Sequence, residues 1–267
     1  MSVSSSIEWT NATWNPTRGC TKIGPGCLRC YAKVIAERFR GVPGHAYEAG
    51  FDPQIAPEML TRPLSCKKPK LVFVNSMSDL FREKFPDEYL VRVAQVMQAA
   101  NWHTFQVLTK RPKRMQELLR GKLNFAAQLP NIWWGVSVEN NAHGLPRIEL
   151  LRNSPARVRF LSVEPLLERL IHLDLTGIHW VIVGGESGPG ARPCLKPWVT
   201  DIRDTCERQG VPFFFKQWGG IRPKSAGRDL DGRTHDDHPA LADSKPLSVA
   251  ERRLIAQRLE WRQEVAA

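Results

Sequence analysis

Apolar residues along this chain gather into short, nearly continuous runs: "LVFVNS" from Leu71, "TFQVLTK" from Thr104, "IWWGVSVEN" from Ile132, "VRFLSVEP" from Val158, "IHWVIVGGES" from Ile178 and "VPFFFKQWGG" from Val211. Runs that are apolar at nearly every position suit strands covered on both faces, as in a parallel sheet with helical crossovers. The stretches between them carry the helical period. Leu90, Val93, Ala94 and Met97 share one face; Pro112 and Gly121 bracket a second helix; Trp198, Ile202 and Cys206 form the stripe of a third before Gly210. A leading strand is expected within "IEWTNATWNP", ahead of Cys20. The pattern predicts an α/β fold with a parallel sheet of six or seven strands, a partial (β/α)6-type barrel, with a doubly wound sheet as the alternative.

After Gly220 the texture turns polar and rich in Gly, Asp and Arg, which predicts a loop. It leads into a last helix, where Ser248 and Glu251 form a capping box and Leu254, Ile255 and Leu259 the apolar stripe. Residues 1–220 are therefore expected to hold the barrel, and residues 221–267 a polar loop and amphipathic helix packed on the same domain.

In parallel α/β folds, ligands bind beyond the carboxyl ends of the strands. Those ends here are Asn75, Ser76 and Asp79; Thr109 and Lys110; Ser137 and Glu139; Glu164; Gly184, Gly185 and Glu186; Lys216, Gln217 and Trp218. Any one of them is explained by a strand end reaching water. Six polar ends in series point to a binding mouth.

Neither a signal peptide nor a long apolar segment is present, so a cytoplasmic protein without membrane contact is expected. Reduced thiols follow from that placement. Cys20, Cys27 and Cys30 are separated by six residues and then two, around the Gly24-Pro25-Gly26 turn. Such a cluster suits metal. Zinc needs a fourth ligand, which Cys66 or His45 would supply; a four-iron cluster on three thiolates leaves one iron open; unligated buried thiols are the third possibility. Cys206 fits a core position. The histidines show neither H-x-x-x-H nor H-E-x-x-H spacing, and neither a phosphate-binding Gly-rich loop nor a G-x-S-x-G elbow occurs. Those absences turn the reading away from zinc hydrolases, nucleotide triphosphatases and serine hydrolases.

Three cysteines after a first strand, closing on "CLRCYAK" and followed by a βα series, resemble the radical S-adenosylmethionine superfamily, and in particular its spore photoproduct lyase-like branch, which shares a Thr-Lys pair such as that in "VLTKRP". "EWTNATWNPTRGC", "FFFKQWGG" and "LDGRT" are similar to a group of uncharacterised phage-associated proteins with an N-terminal three-cysteine motif. The resemblance implies a 4Fe-4S cluster on Cys20, Cys27 and Cys30, with S-adenosylmethionine on the open iron, an electron donor, and a deoxyadenosyl radical as the reactive species. The superfamily's first cysteine spacing is three residues rather than six, and its third cysteine follows an aromatic rather than Arg29. Where it carries Gly-Gly-Glu after the second strand, this chain has Asn75, Ser76 and Ser78. Tyr31, Thr109, Lys110, Ser137, Glu139 and Glu164 would then position the cofactor. Gly184, Gly185 and Glu186 would approach from another side, with a plain tight turn as the alternative, and Cys194 would serve as a hydrogen-atom donor.

The net charge of +11 suits a polyanionic partner. Trp133, Trp134 and Trp218 near Lys110, Arg111, Lys113 and Arg114 form a candidate clamp for a nucleotide. The expected function is thus a radical enzyme acting on DNA, RNA or a nucleotide, a peptide or partner protein being the main rival for the substrate. A zinc-stabilised, non-catalytic nucleic-acid-binding protein of phage type is the alternative, and an iron-sulfur scaffold without turnover is a third reading.

Overall fold

The computed structural model describes residues 1–2, 4–222, 224–241 and 243–261. The leading strand β1 (Ala12–Trp14) is shorter than expected and starts after Trp9. Strands β2 (Thr17–Arg18) and β3 (Gln54–Ile55) form a small antiparallel ladder. Between them lies helix α1 (Tyr31–Glu37), and α2 (Arg62–Ser65) follows. The six apolar runs all become strands: β4 (Leu71–Val74), β5 (Thr104–Thr109), β6 (Ile132–Ser137), β7 (Val158–Val163), β8 (Trp180–Gly184) and β9 (Phe213–Gln217). Helices α3 (Asp87–Ala99), α4 (Pro112–Arg120), α5 (Asn124–Ala127), α6 (Asn141–Arg152), α7 (Lys196–Gln209) and α8 (Val249–Leu259) complete the chain.

Seven strands form one parallel sheet in the order β1-β4-β5-β6-β7-β8-β9, curled into a half-barrel. Side chains two residues apart along each strand share a face, and the core divides accordingly. Val72, Val107, Trp134, Leu161, Val183 and Phe215 meet the helices in the larger cluster. Phe73, Trp133, Phe160, Trp180, Ile182 and Phe214 form a second cluster inside the curl. Trp9 belongs to this interior rather than to the leading strand, packing on Phe73 at 4.5 Å and on Trp180 at 6.2 Å between ring centroids. Each such aromatic pair adds about 1 kcal/mol beyond area burial. Gly135 makes the space they need, since a Cβ there would stand 2.4 Å from the Phe160 ring.

The helices follow their sequence signals, with one revision. Leu90, Val93, Ala94 and Met97 are buried on α3, Cys206 is buried on α7, and Gly210 ends α7 with φ 65°. The capping box of α8 is formed, but its stripe is only partly buried: Ile255 and Leu259 pack on the core while Leu254 is exposed. Buried Arg252 ties this helix down instead, donating from Nη1 to the Leu64 carbonyl at 3.0 Å.

The polar segment after Gly220 does more than connect. It runs along the open edge of β9, with the Phe215 amide donating to the His235 carbonyl at 3.0 Å and Trp180 Nε1 to the Asp237 carbonyl at 2.7 Å. At the opposite edge the Ser2 amide donates to the Thr13 carbonyl of β1 at 2.8 Å. Lys224 joins these two margins, reaching Glu8 at 2.8 Å and the Ser6 carbonyl at 2.7 Å. Residues 262–267, the end of the expected C-terminal segment, lie outside the described residues. Among the described residues, no helix is long and apolar enough to cross a membrane.

Candidate functional site

The residues from Gly19 to Cys30 lie across the carboxyl-end mouth of the half-barrel, and successive strand ends hold them there. Gly19 turns the chain at φ 71° in a spot where a Cβ would stand 2.4 Å from the Asp52 carbonyl, and it bridges to Ser78 beyond β4. Also beyond β4, the Ser76 carbonyl accepts from the Tyr31 hydroxyl at 2.5 Å. Ser76 Oγ contacts Asn15 Oδ1 at 3.2 Å, and Ser78 Oγ meets Thr17 Oγ1 at 2.6 Å.

Past β5 a buried network forms around Asp79. Its carboxylate accepts from Thr109 Oγ1 at 2.7 Å, the Lys110 amide at 3.1 Å and Arg111 Nη1 at 3.1 Å. Arg111 goes on to the loop itself, with Nη2 2.9 Å from Thr21 Oγ1 and Nη1 3.5 Å from Cys20 Sγ. Past β6, fully buried Glu139 pairs with Arg147, whose Nη1 also donates to the Ser137 carbonyl at 2.8 Å. Glu139 sits directly under the turn: a Cβ on Gly24 would approach its Oε1 to 2.9 Å. Past β8, Glu186 pairs with Arg192 at 2.5 Å and Arg29 at 3.3 Å, and Arg192 also donates to the Pro25 carbonyl at 3.0 Å.

Each buried carboxylate thus has a cation, as burial of charge requires. Burial works to raise the Glu139 and Glu186 carboxyls, but Arg147 and Arg192 outweigh it and hold both below the usual carboxylate range. Lys110 adds to the lowering at Glu139, and its ammonium forms no ion pair among the described residues. Burial, reinforced by Asp79, pushes the Cys20 thiol up against the opposing pull of Arg111.

Deeper in the mouth, Glu164 bridges Lys216 at 2.9 Å and Trp9 Nε1 at 3.2 Å. Gly184 and Gly185 are spacers here, and the tight-turn expectation is corrected: Gly184 ends β8 and the Gly185 amide donates to the Gln217 carbonyl of β9 at 2.9 Å. A Cβ on Gly184 would meet Glu164 Oε1 at 2.6 Å, and one on Gly185 the Trp218 carbonyl at 1.9 Å. Cys194 packs beside Gly185 on the main core, and burial pushes its thiol up to about 12, so it stays protonated at neutral pH.

The nucleotide clamp expected from the sequence is not formed. Trp133 and Trp134 are fully buried in the two cores, Arg111 is buried in the Asp79 network, and Arg114 is bound to the Phe85 carbonyl and Asp87. Trp218 packs on Phe215 at 4.7 Å with its Nε1 held by the Asp229 carbonyl. Sequence reasoning missed Trp9, Arg147 and Arg192. A usable signal existed for the arginines, because Glu139 and Glu186 at buried strand ends demand nearby cations.

Cys20, Cys27 and Cys30 are free and partly exposed on the clasped loop. Among the described residues no three His, Cys, Asp or Glu side chains are gathered into a ready metal site. The donor set nevertheless fits an iron-sulfur group in kind: three soft thiols on one loop, with Arg111 Nη1 3.5 Å from Cys20 Sγ. Asn75 adds a buried acceptor at the rim, since its Nδ2 donates to Thr17 Oγ1 at 2.9 Å while its Oδ1 has no partner. A fourth thiol for zinc does not come from Cys66, which lies ahead of β4 at the other end of the sheet, where its carbonyl takes the Trp102 indole at 2.9 Å. His45 is stacked on Phe39 at 3.9 Å, with Nδ1 bound by the Tyr47 amide.

No curated protein and no solved structure matches the chain at a significant level. The family described as Protein of unknown function (DUF5131) matches residues 4–239. With that match spanning the half-barrel, its three-cysteine loop and the segment along β9, the chain belongs to the DUF5131 family.

Proposed function

We propose that this protein is an iron-sulfur enzyme of the radical S-adenosylmethionine type, acting on DNA, RNA or a nucleotide in the reducing cytoplasm. The observation that carries this reading is the clasping of a Cys20, Cys27, Cys30 loop over the carboxyl-end mouth of a partial parallel barrel by residues from successive strand ends. The three thiolates would hold the cluster. Such a group, with its cofactor bound, supplies one-electron cleavage of a sulfonium.

The chain's own residues supply position and shielding. Arg111 fixes Cys20 and Thr21 through three hydrogen bonds and is itself fixed by Asp79. Asn75 Oδ1, buried and unpartnered, is an acceptor suited to a ligand ammonium, and Lys110 offers a cation to a carboxylate or phosphate. Ser78 and Thr109, engaged with Thr17 and Asp79, act as positioning residues. The interior aromatic cluster beneath Glu164 keeps water from the floor of the mouth. Cys194, held protonated, carries the S–H that a hydrogen-atom donor needs. The charge of +11 supports a polyanionic substrate.

The test is iron, sulfide and zinc content after anaerobic reconstitution, with electron paramagnetic resonance of the reduced protein before and after S-adenosylmethionine. About four irons per chain and a signal altered by the cofactor are expected. Cys27→Ala should lose both the iron and cofactor cleavage. Stoichiometric zinc without iron would overturn the reading and leave a zinc-stapled binding protein.

A further inference from the structure

Of the four arginines buried among the described residues, three have partners. Arg111 pairs with Asp79, Arg147 with Glu139, and Arg252 donates to the Leu247 and Leu64 carbonyls. Arg82 is the exception. It is 7% exposed, yet its Nε and Nη1 are enclosed without a hydrogen-bond partner, and it forms no ion pair among the described residues. Nη2, equally unpartnered, is not enclosed and gives the guanidinium its opening to solvent. A buried cation without a counter-charge destabilises a fold, and an anion from outside relieves it.

The chain cannot supply that anion from nearby. Arg82 lies between β4 and α3, and its carbonyl accepts from Arg114 Nη1, which sets this loop against the first turn of α4. The carboxylates on either side of it in sequence are occupied: Asp79 by Arg111 at 3.1 Å, Glu83 by Arg111 at 3.3 Å, and Asp87 by Arg114 at 2.8 Å and Lys122 at 3.0 Å. Cations are in excess. Lys84 in the loop and Lys113 in the first turn of α4 are exposed and form no ion pair among the described residues. The amino end of α4 has no side-chain cap, so its partial positive charge adds to theirs. A single carboxylate would satisfy the guanidinium alone, whereas a phosphate within a strand brings further charges over the two lysines.

We propose that Arg82 is the seat of a backbone phosphate of a nucleic-acid strand, with Lys84 and Lys113 receiving the phosphates beside it. The seat rests on the polyanionic substrate of the proposed function and not on its cluster. Arg111 ties the same loop to Thr21 at 2.9 Å, so a strand held here runs along the margin of the mouth where the cysteine loop is clasped.

The probe is a fluorescein-labelled oligothymidylate of about 15 nucleotides, titrated with the full chain by anisotropy between about 50 and 200 mM salt. Arg82→Met should weaken binding at least about tenfold and lower the salt slope by about 0.7, the share of one phosphate. In the absence of probe the same variant should raise the urea midpoint by about 0.5 M, because it removes an unpaired buried charge. A merely structural arginine would shift the midpoint the other way. Lys84→Glu/Lys113→Glu should weaken binding as strongly. Lys67→Glu/Lys68→Glu, the same charge change on exposed lysines at the amino end of the sheet, should weaken it less than about twofold. The variant Cys20→Ser/Cys27→Ser/Cys30→Ser should bind as the wild type does, which separates this result from the iron content. Binding unchanged in Arg82→Met, or a lowered midpoint, would overturn the proposal. If the oligonucleotide does not bind but inorganic phosphate raises the midpoint of the wild type and not of Arg82→Met, the seat stands and the strand is overturned as its source; if neither binds, both fall.

Discussion

Gly185 shows how closely the mouth is packed at the level of single atoms. A methyl group there would overlap the Trp218 carbonyl, so Gly185→Ala should destabilise the fold by about 2–3 kcal/mol in urea unfolding through displacement of the segment after β9. Arg147→Met tests the buried pair. It strands the Glu139 carboxylate and should cost about 3 kcal/mol, with Glu139→Gln/Arg147→Met recovering most of the loss. At this scale the sequence named the strand-end acids and glycines as neighbours of the mouth but did not show the partners they meet there. A tight turn was one of two readings of Gly184 and Gly185 because spacing cannot reveal the Trp218 carbonyl, just past β9, pressing on the end of β8. Arg111 looked like a free clamp because its partner Asp79 lies 32 residues away in sequence.

Elements were more legible than contacts. The six apolar runs became strands because residues covered on both faces leave an unbroken hydrophobic signature, and the helices announced themselves through Pro, Gly and capping residues. Two-residue strands such as β2 and β3 are too short to carry any period, and they went unread. The α8 capping box was legible, since Ser248 Oγ accepts from the Glu251 amide at 3.3 Å and the Glu251 carboxylate accepts from the Ser248 amide at 2.9 Å. Ser248→Ala should therefore lower the unfolding free energy by about 1 kcal/mol, read as a shifted urea midpoint with unchanged slope. What the sequence concealed is that α8 is secured by buried Arg252 as much as by its apolar stripe, a polar contact to α2 across the fold.

Across the whole molecule, the proposed cysteine site and a buried histidine sit at opposite ends of the sheet. His103 precedes β5 at the amino end, fully buried, and burial pushes its imidazole down to about 4 from an ordinary 6.5. The unfolded chain takes up this proton first, so the stabilisation is complete above about pH 6.5 and is lost as pH falls toward about 4. By pH 5 the loss should be about 2 kcal/mol, and His103→Gln should flatten that slope in urea titrations run at successive pH values. The barrel wall itself is uneven in another sense. Parallel ladders link its seven strands, while the segments before β1 and after β9 meet through side chains: Lys224 with Glu8 and the Ser6 carbonyl, and Glu164 between Trp9 and Lys216 of β9. An exposed ion pair contributes under about 1 kcal/mol and weakens as counterions accumulate. Of these links the Lys224 clasp is the exposed one, so ionic strength loosens it before the Trp9 contacts buried inside the curl.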